Sequence, residues 1–238
     1  MRTLYVTSLA IAIFYTLTLL SGCDGFISGS GNLVKETLNI KDFNALRVSG
    51  AFSVYLSQGE TESVVIEADD NIHDYIIAEV QGKTLRIGTR CIGISDATMK
   101  AYISVKNLEE IKVSGAVELK GEVPLEVSRI ALSSSGASKI DMELHCERLY
   151  VDLSGAGKIK LDGQANRAAV EISGAGEMNA KKLTCETLKI QVSGAGNAGV
   201  NVMKEIDARV SGAGNIRYRG NPKVFSQISA AGSIRQIE

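Results

Sequence analysis

Ser154-Gly155-Ala156-Gly157 returns as Ser173-Gly174-Ala175-Gly176, Ser193-Gly194-Ala195-Gly196 and Ser211-Gly212-Ala213-Gly214. Ser135-Gly136-Ala137-Ser138 and Ser229-Ala230-Ala231-Gly232 are altered copies on either side, and Ser114-Gly115-Ala116 and Ser49-Gly50-Ala51 carry the first three letters upstream. From Ser135 onward the serines stand 19, 19, 20, 18 and 18 residues apart. A near-constant period of this length marks a repeat architecture.

Both flanks of each phrase alternate apolar and polar residues. Leu149, Val151 and Leu153 precede one copy; Leu188, Ile190 and Val192 precede another; Ile159 and Leu161, or Ile216 and Tyr218, follow. Alternation of period two is the strand signature. The glycine density and the β-branched residues exclude a helix. Each repeat therefore reads as strand, Ser-Gly-Ala-Gly corner, strand and short return. Such a unit buries its apolar face only by stacking on its equivalents at ~4.8 Å, which predicts an all-β solenoid. The repeat length is about 18–21 residues. At the corners Gly155, Gly174, Gly194 and Gly212 are expected at positive φ. The second glycines Gly157, Gly176, Gly196 and Gly214 complete the bend, and the hydroxyls of Ser154, Ser173, Ser193 and Ser211 are expected to fall in one column able to bond along its length.

Before Asp24 the only charge is Arg2, and Leu4–Leu20 is apolar apart from scattered Thr, Ser and Tyr. The run is shorter than the ~20 residues of a comfortable span and leaves through small residues, as a cleaved secretory signal does. Leu20-Ser21-Gly22-Cys23 resembles a bacterial lipobox, which implies cleavage before Cys23 and its acylation; a plain signal peptide or an uncleaved anchor is the alternative. The expected organisation is a signal peptide over 1–22, a flexible tether over 23–32 and one solenoid domain over 33–238. Within that domain, 33–110 is irregular and strand-rich, with a hairpin turning at Gly82, and 111–238 is regular.

Val48-Ser49-Gly50-Ala51-Phe52-Ser53-Val54-Tyr55-Leu56-Ser57-Gln58-Gly59, taken with the later repeats, resembles a bacterial family described as auto-transporter adhesins, head GIN domain. The likeness spans roughly residues 37–236. It implies a right-handed, single-stranded parallel β-helix and a cell-envelope lipoprotein, with outer-membrane location and either face open. It brings no catalytic residues. The departures are Ser138 in place of the second glycine and Ala230 in place of the first, both near the ends of the regular array.

Charge is balanced, with 26 Lys plus Arg against 27 Asp plus Glu, which gives no reason to propose nucleic acid as partner. Polysaccharide-cleaving β-helices gather carboxylates or a basic residue with Ca²⁺ ligands on one outer face. The outward column two before each serine (Asp152, Glu171, Gln191, Arg209, Gln227) mixes signs, and so does the one six after it (Asp141, Lys160, Asn179, Gly199, Arg217). From these columns neither a charged groove nor an aromatic platform is expected. Lys158 and Glu177 are expected to form a surface pair. Asp69, Asp70, Asn71 and Asp74 crowd oxygen atoms into one loop but lack the spacing of an EF-type cation site. His73 and His145 lack a triad partner, and no zinc spacing is present. No cofactor, metal or catalytic residue is expected.

The function expected is a non-catalytic binding or structural module, held to a membrane by its lipid, with an unidentified protein or glycan partner. The alternatives are an envelope maintenance or sensing module that docks on another protein, and a carbohydrate-active enzyme. After Cys23, three cysteines remain. Cys146 and Cys185 lie in matching phrases two coils apart, ~9.6 Å by the strand spacing, too far for a disulfide.

Overall fold

Alternation becomes architecture in the computed structural model, which describes residues 26–90, 93–229 and 231–238. The strands before the regular array are β1 (Phe26–Ser28), β2 (Leu33–Leu38), β3 (Ala45–Gly50), β4 (Ser53–Gln58), β5 (Ser63–Asp69), β6 (Ile76–Gln81), β7 (Thr84–Thr89), β8 (Gly93–Ser95) and β9 (Met99–Val105). The array itself holds β10 (Glu110–Gly115), β11 (Glu118–Gly121), β12 (Leu125–Gly136), β13 (Lys139–Gly155), β14 (Lys158–Ile172), β15 (Glu177–Val192), β16 (Asn197–Val210), β17 (Asn215–Arg219), β18 (Lys223–Ile228) and β19 (Ser233–Gln236). From β10 onward the coils pair in parallel and in register: Ser114 lies on Ser135, Ser135 on Ser154, Leu153 on Ile172, Ile172 on Val192, and Val192 on Val210. The chain is a β-solenoid.

The N-terminal end stacks out of sequence order. β3 and β4 lie between the coil of β7 and β9 on one side and that of β10 and β11 on the other, all in parallel. After Gln58 the chain leaves the stack, and it re-enters underneath. The exposed edge of that lowest coil is paired antiparallel, by β6 on β7 and by β5 on β9, with β2 beyond β5. Antiparallel strands there occupy backbone groups that would otherwise invite another chain. The expected hairpin is β6–β7, with Gly82 at φ 65° in its turn.

Cys23 and the signal segment lie outside the described residues. Residues 26–32 of the stretch read as a flexible tether are bonded to the body. β1 pairs with β8, the Ser30 hydroxyl donates to Asp70 at 2.6 Å, Asn32 donates to Asp70 at 2.8 Å, and Gly31 N–H donates to Asp69. Asp69 also accepts from Thr98 N–H at 2.8 Å, and Asn71 donates to the Ser28 carbonyl at 2.9 Å. The polar loop thus clasps the N-terminal segment. Its donors hold the Asp70 carboxyl below its ordinary range, the Ser30 hydroxyl most of all.

The corners hold glycine for two different reasons. Gly155 has φ 135°, but Gly174, Gly194 and Gly212 do not lie at positive φ, contrary to expectation. There the constraint is close approach: a Cβ on Gly194 would run into the carbonyl oxygen of Gly174 one coil below. The second glycines face inward. A Cβ on Gly176 would come within 2.7 Å of the Leu153 side chain, and one on Gly196 within 2.5 Å of Ile172. The serine column faces outward, and among the described residues no hydrogen bond joins the hydroxyls of Ser154, Ser173, Ser193 and Ser211.

Ser138, the exception at a second-glycine position, has a physical partner. Ser134 occupies the core position that Leu153, Ile172 and Val192 take in later coils. Both serines are 2% exposed, and their hydroxyls bond to each other. The smaller Ser134 leaves the room that Ser138 fills.

Cys146 and Cys185 lie in one inward column, Val127, Cys146, Ala165, Cys185, Val202, with Ala165 between them. Both are free and buried. Burial pushes the Cys146 thiol up to about 11 and the Cys185 thiol up to about 12, the latter helped by Cys146.

Two predictions follow from these columns. Ser134→Leu alone overpacks against Ser138 and costs about 1–3 kcal/mol, and Ser138→Gly alone leaves the Ser134 hydroxyl unpaired at a similar cost. In denaturant unfolding the double variant is expected to recover most of both losses, whereas strict additivity would show that the two positions do not share one space. The second concerns pH. The folded thiols keep their protons to higher pH than unfolded ones, so their contribution is complete below pH ~8.5 and falls as pH rises towards 11. Wild type is expected to lose roughly 1 kcal/mol per pH unit per thiol more than Cys146→Ala/Cys185→Ala over that interval; parallel stability curves would refute it.

Candidate functional site

On the strand before each corner, alternation sends the residues two, four and six before the serine outward. In the coils of Ser135, Ser154 and Ser173, the sixth residue before is Arg129, Arg148 and Arg167. The fourth is Ala131, Tyr150 and Ala169, and the second is Ser133, Asp152 and Glu171. The pairing register puts each set in one column. Three outward columns therefore run side by side: guanidinium, small–aromatic–small, and hydroxyl–acid–acid. Neighbours within a column are one strand spacing apart, ~4.8 Å.

A groove of about 640 Å³ opens over the first two columns, lined by Arg129, Arg148, Arg167, Tyr150, Ala131 and Ala169. This volume lies in the range of small-molecule sites. Below it Ile130, Leu149 and Ala168 are buried in the core, so the floor is fixed by packing. Towards one end Glu109 and Glu110, then Asn44 and Ala45 of the next coil, continue the lining. Arg129 donates to Glu109 at 2.7 Å, and Glu110 pairs with Lys112 at 2.7 Å. Arg148 and Arg167 are exposed and have no carboxylate within 4.0 Å among the described residues. Two like charges about 4 Å apart repel by ~1 kcal/mol even in water, and guanidinium cannot escape by losing its proton. Tyr150 is 39% exposed. Partial burial raises its phenol pKa, and the Glu171 and Asp152 carboxylates add to the effect.

This groove corrects the expectation of no basic groove and no aromatic platform. That expectation rested on the columns two before and six after the serine, whereas the arginines stand six before it. The 19-residue intervals between Arg129, Arg148 and Arg167 match the repeat and are the signal that finds them. A second aromatic surface joins Tyr55 to Tyr102, stacked with centroids 5.0 Å apart and planes 12° apart. Beside it Glu67 accepts from the Tyr102 hydroxyl at 2.9 Å and from Lys100 at 3.2 Å, which together hold its carboxyl below the ordinary range, Tyr102 first.

The other sequence-derived candidates are dispersed. Ser154, Gly155, Gly157 and their counterparts Ser173, Gly174, Gly176, Ser193, Gly194, Gly196, Ser211, Gly212 and Gly214 form the corner edge, downstream of the groove and outside its lining. His145 lies between Glu126 at 3.1 Å and Glu143 at 3.5 Å on the surface, and His73 bonds the Val34 carbonyl at 2.9 Å. Lys158 reaches Glu177 at 3.8 Å, as the register requires. Among the described residues no three His, Cys, Asp or Glu side chains converge as a metal site.

Comparison with known proteins gives a consistent picture. The family model described as "Putative auto-transporter adhesin, head GIN domain" matches residues 42–222. A solved structure named a putative adhesin, from Bacteroides fragilis NCTC 9343, is 26% identical with a TM-score of 0.82, covering 89% of this chain and 100% of that one. One named a putative lipid binding protein, from Parabacteroides distasonis ATCC 8503, is 22% identical with a TM-score of 0.75, covering 90% of this chain and 100% of that one. One named a putative adhesin, from Parabacteroides merdae ATCC 43184, is 23% identical with a TM-score of 0.64, covering 90% and 99%. The last two show a shared fold. Among curated proteins none matches.

Proposed function

Since the chain belongs to the family described as putative auto-transporter adhesin, head GIN domain, we propose that it is an exported cell-envelope lipoprotein acting as a non-catalytic binding module, with adhesion as its role. The observation that carries this reading is the groove: a floor fixed by core packing presents two unpaired guanidiniums beside an exposed tyrosine. A site of that kind holds a ligand by charge and shape and contains no activated nucleophile. The adhesin name of the Bacteroides fragilis structure supports the same direction. Leu20-Ser21-Gly22-Cys23 supports the anchor, since several acyl chains at ~0.8 kcal/mol per buried methylene hold a protein on a membrane.

A second reading, docking on another envelope protein without adhesion, is favoured by the last coil. Val224 and Ile228 stack on the core positions Ile206 and Val210, yet they and Phe225 are exposed by 39%, 46% and 45%.

The test is cellular. Wild type is expected to fractionate with membranes, to carry acyl chains on Cys23 in intact-mass spectra, and to be removed by protease from intact cells; Cys23→Ala is expected to be released. Surface attachment of expressing cells is expected to fall several-fold in Arg148→Ala/Arg167→Ala. Protection from protease on intact cells would overturn adhesion in favour of docking, and an unmodified Cys23 would overturn the anchor.

A further inference from the structure

We propose that the Arg148–Arg167 groove binds an acidic sugar, with its carboxylate held by the two guanidiniums and a sugar ring lying on Tyr150. The assignment rests on the reading of this face as the binding surface and names the ligand chemistry.

Charge fixes one end of the ligand. The in-register stack holds Arg148 and Arg167 one coil apart, and a guanidinium clamps a carboxylate with two parallel hydrogen bonds. The cationic run is short. Arg129 is engaged by Glu109, and past Arg167 the column continues with Thr187 and then Glu205. One or two anionic groups therefore fit, and a long polyanion does not.

The opposite end demands different chemistry. Asp152 and Glu171 stand four residues downstream of Arg148 and Arg167, ~13 Å along the strand, with Tyr150 and Ala169 midway. Neither carboxylate has a cation within 4.0 Å among the described residues. That distance is beyond any direct pairing between the two columns. A ligand spanning them is anionic where it meets the arginines and offers hydrogen-bond donors where it meets the acids. Sugar hydroxyls donate to carboxylates, whereas a phosphodiester chain or a second anionic group is repelled there. Between the two columns Tyr150 stands 39% exposed, flanked within its own column by the small Ala131 and Ala169. A sheet face backed by a closed core has no slot for acyl chains, so any lipid meets it only through its headgroup, a source that the vesicles in the test separate from a sugar.

The experiment uses the chain from Asp24 onward, titrated calorimetrically with digalacturonic acid, sialyllactose, maltotriose, inositol hexakisphosphate and phosphatidylglycerol vesicles. At least one of the two acidic oligosaccharides is expected to bind, and maltotriose is not. Arg148→Ala/Arg167→Ala is expected to weaken that binding at least tenfold, the double Arg→Lys variant by several-fold because two-point clamping is lost, and Tyr150→Ala by about tenfold. All three positions are exposed, so melting temperatures are expected to stay at the wild-type value. Acidic-sugar binding that ignores these substitutions overturns the location. Tighter binding of the phosphate or the vesicles, or no binding of either acidic sugar, overturns the sugar class. Cell attachment separates the two levels: if it falls in Arg148→Ala/Arg167→Ala while neither acidic sugar binds, the groove remains a binding site and the acidic-sugar assignment alone fails.

Discussion

The structure depends on how closely one coil's backbone lies on the next at the Ser-Gly-Ala-Gly corners. Ala156 N–H donates to the Gly136 carbonyl at 3.0 Å, Ala175 to Gly155 at 2.9 Å, and Ala195 to Gly174 at 3.0 Å. The ladder thus carries through these three corners, where the chain changes direction. A Cβ on Gly115 would lie 2.6 Å from the Gly50 oxygen, and one on Gly136 2.8 Å from the Gly115 oxygen. Hydrogen-bond distance and a side chain exclude each other at these points. Removing the side chain lets each coil close in register at the corner, and that register makes the inward column continuous from Ile111 through Leu132, Val151, Val170 and Ile190. Each fully buried aliphatic residue then contributes ~1.5–3 kcal/mol.

The same register converts sequence period into surface chemistry. Residues 19 apart become neighbours, so a short run of similar substitutions becomes a column of one charge or one shape. Some columns neutralise themselves, as Lys139 on Glu118 at 2.7 Å and Lys160 on Asp141 at 3.0 Å do. The arginine column does so only at Arg129. Unpaired charge in this fold lies in the mismatches between coils, on a floor that the core holds still.

Local rules were legible and long-range ones were not. The corner phrases, the alternating faces, the Gly82 hairpin and the two-coil separation of Cys146 from Cys185 all follow from spacing within the repeat. Insertion of the β3–β4 coil between later segments depends on contacts between residues some 40 to 65 apart, for which no periodic signal exists. The clasp of Ser30, Gly31 and Asn32 by Asp69 and Asp70 is equally remote in sequence. Gly194 is held as glycine by close approach rather than by the positive φ that the corner phrase predicts. The Ser134–Ser138 exchange explains a departure that the repeat alone left unaccounted for. The groove lies outside the columns two before and six after each serine, because Arg129, Arg148 and Arg167 repeat six before it, as regularly as the corners.

The most direct measurement compares Gly194→Ala with Gly199→Ala by thermal unfolding. Alanine at Gly199 first meets the flexible Lys181 side chain, at 2.8 Å, whereas alanine at Gly194 meets the Gly174 backbone. Alanine in a strand ordinarily costs no more than glycine. The account predicts that Gly194→Ala loses about 1–3 kcal/mol, several degrees of melting temperature in a chain of this size, while Gly199→Ala stays within about 0.5 kcal/mol of wild type. Equal melting temperatures, or a more stable Gly194→Ala, would contradict close backbone approach as the constraint that sets the register.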